Sequence, residues 1–277
     1  MSRTVKQSLL GGAMVLPSFL TLVVLVMYPV IVSIGESFKD QKGGISLSNY
    51  TYLFSDPAML RNMQHTLFVT LVSSILVLCI SYAMAVYMRF GSGWAVKIVR
   101  RLYILPMFVP GIIAVYGVIN MYRDNGWMAR IIGKGVLPPI IYDVKGVILL
   151  SIWFHIPFTA MLLHSALTAI PASVIESAKD IGAGKLRVFF HFIMPLTMKT
   201  MLVAFTFLFM GIIGSFTVPF LVDKNAPQMY GVAMEQHFSS YHELGKASSM
   251  AVVLFLICAA VGYVYIQSMM KEDKRGL

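Results

Sequence analysis

The chain has 277 residues, 58% of them hydrophobic and 12% charged, and a formal net charge of +10. A water-soluble domain carries about twice that share of charged residues, so the composition excludes an ordinary soluble fold and points to lipid. A nucleic-acid role for the positive balance would need a basic patch interleaved with aromatic residues, and the chain has none.

Six runs of at least 18 residues hold no Asp, Glu, Lys or Arg: 9–34, 66–88, 102–122, 147–169, 201–222 and 248–268. Each is long enough to cross a hydrocarbon core of about 30 Å as a helix. The runs are continuous, as in "LVSSILVLCISYAMAVYM", and lack the alternation of a barrel strand. The expected fold is an all-α membrane protein with six transmembrane helices. No Gly/Ser-rich or Pro-rich linker interrupts it, so 1–277 reads as a single transmembrane domain. Arg3 and Lys6 precede the first run. That run is too long for the apolar region of a signal peptide and no small-residue cleavage site follows it, so it is expected to be retained. Cys79 and Cys258 fall inside the second and sixth runs and are expected as buried packing residues. Pro17, Pro29, Pro106, Pro110, Pro157 and Pro219 lie inside runs and are expected to kink helices whose neighbours satisfy the freed carbonyls.

With the N-terminus in the cytoplasm, 13 of the 22 Lys and Arg fall inside, among them Lys97, Arg100, Arg101, Lys274 and Arg275, although the outside loops are longer. The positive-inside rule then places both termini in the cytoplasm. The outside loops are 35–65, 123–146 and 223–247. Within the second of these, "IIGKGVLPPII" at 131–141 is too short to span and is expected as an interfacial segment.

One inside loop, 170–200, is long and charged. "SVIESAKDIGAGKLRVFFHFIMPL" lies between two apolar runs. Ser173 with Glu176 three residues later has the spacing of a capping box, with Pro171 just upstream. Gly182 and Gly184 offer the positive φ of a helix C-terminus or tight turn. Leu186, Phe189, Phe190 and Ile193 then share a face at helical spacing, and Pro195 marks the start of the fifth run. The segment reads as helix, turn and amphipathic helix, a cytoplasmic hairpin over about 171–200 whose ordering requires a packing surface.

The residues "ESAKDIGA" and "FIMPL", with the proline nineteen positions after the glutamate, resemble the EAA motif of permease subunits of binding-protein-dependent ABC importers. Glu176, Ala178, Gly182, Ala183 and Pro195 fall on the motif, and Ser177 replaces its usual second alanine. The span number, length and orientation are also similar to the type I permease layout. The resemblance implies that Glu176, Ser177, Ala178, Asp180, Gly182, Ala183 and Pro195 couple the chain to a cytoplasmic ATPase. It implies as partners two ATPase subunits, a second permease (identical or homologous) and an external solute-binding protein, within the inner membrane of a prokaryote. ATP and Mg would be bound by the ATPase, with no cofactor in this chain. "GAGKL" fails the phosphate-loop pattern G-x-x-x-x-G-K-[ST], since Lys179 and Leu186 stand at required Gly and Ser/Thr positions.

Two rival classes are weaker. An ion-coupled secondary transporter needs compensating charge inside the membrane, and every Asp and Glu lies outside the six runs. An intramembrane zinc enzyme needs a second histidine four residues after His242, where Lys246 stands. His237 is then a surface histidine, and His155 and His164, nine residues apart, are expected as hydrogen-bonded packing residues on different faces. No catalytic or metal-ligating set is expected.

Polar groups within the runs face the bundle interior because lipid exposure is costly. Ser73, Ser74, Tyr82, Tyr116, Asn120, His155, Thr159, Ser215 and Thr217 are candidates to line a solute pathway, with interhelical hydrogen bonding as the alternative for each. Aspartate four positions after Glu176, and "GSFTVPFLV" at 214–222, are similar to polyamine-type permeases, with Ser215 where those carry aspartate. Aminophosphonate, ferric-ion, thiamine and sugar importers stay open as alternatives.

Overall fold

The computed structural model describes the chain apart from residues 1–2, 41, 134–135, 137–139, 181, 224 and 274–277, and the side chains of 3–10 and 271–273. In lipid every backbone N–H and C=O must be satisfied within the segment, and continuous apolar runs therefore become helices. Among the described residues, five helices are long and apolar enough to cross a membrane: Gly11–Ser37, Pro57–Phe90, Val144–Ala169, Lys185–Ile213 and Leu244–Met270. A bent pair, Trp94–Phe108 with Gly111–Ile132, makes a sixth if it counts as one span. Among the described residues there is no strand, only an isolated bridge between Lys39 and Ile45.

The chain divides into two compact units, Met1–Leu60 with Met234–Phe255, and Arg61–Ala233 with Leu256–Leu277. In the first unit, helix Ser48–Ser55 is tied to the end of the first span. Asn49 Nδ2 donates to the carbonyls of Ser37 (3.0 Å) and Lys39 (2.8 Å), and the Ser37 and Tyr50 hydroxyls meet at 2.7 Å. Pro29, Val30 and Ile34 line an apolar groove with Ala251, Val252 and Phe255. In the second unit Val144–Ala169 packs along Lys185–Ile213, with Phe158 edge-on to Phe207 at 6.1 Å. Two apolar cores hold this unit. One joins Val69, Val115, Val147, Leu150, Val222 and Met229. The other joins Tyr82, Ala85, Leu163 and Leu167 to hairpin residues Ala178, Val188 and Ile193.

The structure departs from the sequence expectations at several places, and proline explains three. The run 102–122 is not one helix. It breaks into Trp94–Leu102, a 3-10 turn Leu105–Phe108 and Gly111–Tyr122, with a bend of 104° between the two halves. Val109, held extended at φ −89° and ψ 120°, precedes Pro110, whose ring disfavours the helical region for the residue before it. Pro29 and Pro195 are instead accommodated without a break. Each follows a π turn, Val23–Met27 and Phe189–Ile193, which widens the backbone where proline cannot donate to the carbonyl four residues back.

Consequently the second hairpin arm is no separate amphipathic helix. Lys185–Val188, the π turn and Met194–Ile213 run on as one element, and the inserted residue rotates the expected face. Val188 and Ile193 are buried, whereas Leu186 is 75% exposed and Phe190 55%. The run 201–222 also ends early: the helix stops at Ile213, and a short helix Thr217–Val222 follows Gly214–Phe216. Cys79 is exposed and Cys258 half-exposed, not buried packing residues. Of the segment 131–141, positions 134–135 and 137–139 lie outside the described residues, as do Lys274 and Arg275.

Candidate functional site

The hairpin begins with helix Ala172–Asp180. The Val174 N–H donates to the Pro171 carbonyl, so Pro171 holds the N-cap position and Ser173 lies inside the first turn. The capping box expected of Ser173 and Glu176 is therefore not built at that register. The C-terminal expectation is met at one glycine. Gly182 has φ +82°, its N–H donates to Lys179 O (2.8 Å), and the Ala183 N–H donates to Ala178 O (3.1 Å). This pair of bonds is a Schellman motif, which needs a left-handed residue that only glycine adopts without strain. Gly184 is extended, at φ −65° and ψ 160°, and needs no glycine for its backbone.

Burial splits the motif residues into two sets. Glu176, Ser177, Asp180, Gly182 and Pro195 are exposed. Ala178 is only 3% exposed and sits in the core with Tyr82, Leu163 and Leu167, with Ile175 and Ala183 packed against that core. The loop is thus a rigid extension of three spans, with its polar face free. Arg89, at the end of Pro57–Phe90, donates to Ile170 O at 3.4 Å and ties that helix to the hairpin's start. By sequence Arg89 is one of the 13 Lys and Arg expected inside; its place in the last helical turn, beside orphan carbonyls, is the local signal for such a bond.

The pathway candidates separate just as clearly. Tyr82 is buried, its hydroxyl 2.9 Å from that of Thr197. Thr159, Ser73 and Ser74 are buried too. Tyr116, Asn120 and Thr217 are exposed on the chain surface, and Ser215 and His155 are half-buried. His155 Nδ1 lies 2.8 Å from Ser151 O, and its Nε2 side faces Gly211. His164, expected to be hydrogen-bonded, has a buried Nδ1 with no partner among the described residues. The backbone of Ser215 lies tight against Gly231, where a Cβ would come within 2.8 Å of Ser215 O. The break at 214–216 is therefore held by packing.

In the first unit the residues of "YHELGK" form a polar knot. His237, expected at the surface, is instead buried; it donates from Nδ1 to Glu243 Oε2 (2.8 Å), and Lys246 Nζ donates to Glu243 Oε1 (2.7 Å). Lys246 also lies 4.2 Å over the Tyr52 ring. Burial pushes the Glu243 carboxyl up, but the bonds from Lys246 and His237 outweigh it and hold it below the usual range. In the second unit Asp223, buried beside Asp143, is pushed up by burial, against the Asn225 N–H and His65.

A spanning bundle with such a core-anchored hairpin is the fold of permease subunits of type I ABC importers. A bacterial alginate ABC transporter, solved with its alginate-pentasaccharide-bound periplasmic protein, has a chain that superposes with TM-score 0.83 over 95% of this chain and 94% of that one, at 17% identity. A chain of the methionine ABC transporter in its inward-facing form gives 0.60 over 77% and 95%, at 16% identity. Residues 78–271 match the family described as the binding-protein-dependent transport system inner membrane component, and the chain belongs to that family. It is 26% identical to the sulfoquinovosyl glycerol transport system permease protein SmoG of Agrobacterium fabrum, covering 96% of this chain and 92% of that protein. It is 24% identical to the spermidine/putrescine transport system permease protein PotB of Escherichia coli, over 88% and 92%. The osmoprotective compounds uptake permease protein GgtC of Synechocystis is also 24% identical, over 94% and 99%.

Proposed function

We propose that this chain forms half of a solute pathway and transmits the closure of a cytoplasmic ATPase through the hairpin Ala172–Ala183. The observation carrying this reading is the burial of Ala178 among Tyr82, Leu163 and Leu167 while Glu176, Ser177 and Asp180 remain exposed. Force applied to the free polar face enters the spans directly, because a close-packed core transmits displacement. The chain works with two ATPase subunits that bind ATP and Mg, a second permease and an external solute-binding protein, and both its termini are cytoplasmic. Tyr116, Asn120 and Thr217 line the pathway, with Ser215 and His155 at its margin, since a passage between two permeases is walled by residues exposed on each. Tyr82 and Thr159 serve packing.

The lining is neutral, so selection rests on the external protein. A polyamine is the first solute to test, on the similarity to the spermidine/putrescine permease. A glycoside is the second, on the relative that carries sulfoquinovosyl glycerol. A thermal-shift assay on the cognate binding protein decides between them: a rise in its melting temperature with spermidine or putrescine supports the first, and a rise only with glycosides replaces it.

Coupling is tested at Gly182. A Cβ there meets nothing within 4 Å, so Gly182→Val acts through backbone strain at φ +82°, roughly 1–2 kcal/mol. The variant should insert in the membrane and lose uptake. Normal uptake would remove the mechanical role of this turn. Labelling of Lys185 from outside intact cells would overturn the orientation.

A further inference from the structure

The helix Trp94–Leu102 has three faces where an amphipathic helix has two. At about 100° per residue, Trp94, Ile98 and Leu102 share one sector, and all are exposed, at 76%, 43% and 51%. Ala95, Val96 and Val99 turn toward the chain, with Val96 buried. Lys97, Arg100 and Arg101 occupy the third sector and are exposed. No Asp or Glu occurs between residues 57 and 123, and no ion pair engages Lys97 or Arg101 among the described residues.

We propose that this helix is a membrane-surface anchor that binds the anionic headgroup of a phospholipid in the cytoplasmic leaflet. Three observations set its attitude. Gly93, with φ +95°, breaks the backbone between the end of Pro57–Phe90 and this helix. The segment Trp94–Phe108 lies at 104° to Gly111–Ile132, so if the latter enters the bilayer the former runs along its surface. The apolar sector continues into exposed Leu105 and Phe108, toward the hydrocarbon.

In that attitude the exposed apolar sector dips into the acyl boundary and Trp94 sits at headgroup depth, where its amphipathic ring is favoured. The cationic sector beside it then meets lipid phosphate, for which guanidinium geometry is well matched. Arg100 is already held, donating to Met88 O through its Nε and a terminal nitrogen, so its remaining donors are pre-oriented at little further entropic cost. A water-facing protein partner would account for the cations but leave Trp94 and Ile98 in solvent. Only the choice of leaflet rests on the orientation proposed above; the headgroup chemistry does not.

The test uses the full-length chain in nanodiscs of equal phosphatidylglycerol and phosphatidylcholine, with retained lipids counted by native mass spectrometry. Phosphatidylglycerol should be retained preferentially. The pair Lys97→Gln/Arg101→Gln should lower that preference about thirtyfold, from the worth of two basic side chains at an anionic surface; Arg100 is left intact because it caps a helix. The pair Lys179→Gln/Arg187→Gln, also exposed but on the hairpin, should leave the preference unchanged. Equal retention of the two lipids, a preference that survives Lys97→Gln/Arg101→Gln, or an equal loss in the hairpin pair overturns the proposal. So does competition of the preference by inorganic phosphate, which would assign the site to a free anion. Loss of ATPase co-purification in Lys97→Gln/Arg101→Gln with unaltered lipid retention would assign the surface to protein, and likewise overturns it.

Discussion

The first and second membrane helices have nearly the same mean hydropathy, 2.4 for Gly11–Ser37 and 2.3 for Pro57–Phe90, yet 0% of the first apolar stretch is buried within the chain against 39% of the second. Apolar content does not separate them; small hydroxyl residues do. In the second helix Thr66, Thr70, Ser73, Ser74 and Ser81 are all 0% exposed. In the first, Ser18 is exposed, Thr21 donates to Pro17 O of its own backbone at 2.9 Å, Ser33 is half-buried, and the buried Ser37 stands at the helix end, outside the apolar stretch.

The physical reason is the solvent. Lipid tails are as apolar as leucine, so no hydrophobic force drives a leucine-rich face inward, and helices associate where small side chains let backbones approach. Hydrogen bonding is the lesser part of this. Thr66 accepts from the Tyr230 N–H at 2.8 Å, but Thr70, Ser73 and Ser74 hydroxyls are buried without a partner among the described residues. Their value to the bundle is their size.

The comparison can be broken by exchanging size on the two helices. Ser74→Leu should overpack the second helix and cost about 1–3 kcal/mol, read as a lower melting temperature of the purified chain, whereas Ser18→Leu on the first should leave it unchanged. Equal effects at both positions would show that hydropathy alone predicts packing here. A smaller change sharpens the hydrogen-bonding part. Thr66→Val keeps the shape and removes the acceptor for Tyr230, for an expected loss of about 1 kcal/mol; no loss in the same melting assay would make the stripe purely steric. Smallest of all, Tyr82→Phe removes the hydroxyl contact to Thr197 and should cost about 0.6 kcal/mol, the average for a polar contact between membrane helices. A loss several times larger would mean that the core beneath the hairpin is held by that hydroxyl pair more than by its apolar residues.

The hairpin repeats the lesson on a smaller scale. Gly182 was legible as a helix terminator because a positive φ is a local property of one residue type. The face of the second arm was not, because the π turn Phe189–Ile193 ahead of Pro195 inserts one residue and rotates Leu186 and Phe190 outward. The pairings of Arg89 and Thr197 are not local for a different reason: their partners, Ile170 O and the Tyr82 hydroxyl, are 81 and 115 residues away in the chain.

By itself the sequence determined the membrane class, the positions of four of the six runs as whole helices, and the charged loop whose Glu176 and Gly182 carry the family resemblance. These follow from requirements that act within a segment, namely backbone satisfaction in lipid and the conformational range of glycine and proline. Tertiary structure alone decided how far the break at Pro110 opens, to 104°, that Ala178 is the buried anchor of the hairpin, and which polar residues face inward. Those outcomes depend on which surfaces approach one another across the fold. In a solvent as apolar as the side chains themselves, no hydrophobic periodicity along a single helix records that choice.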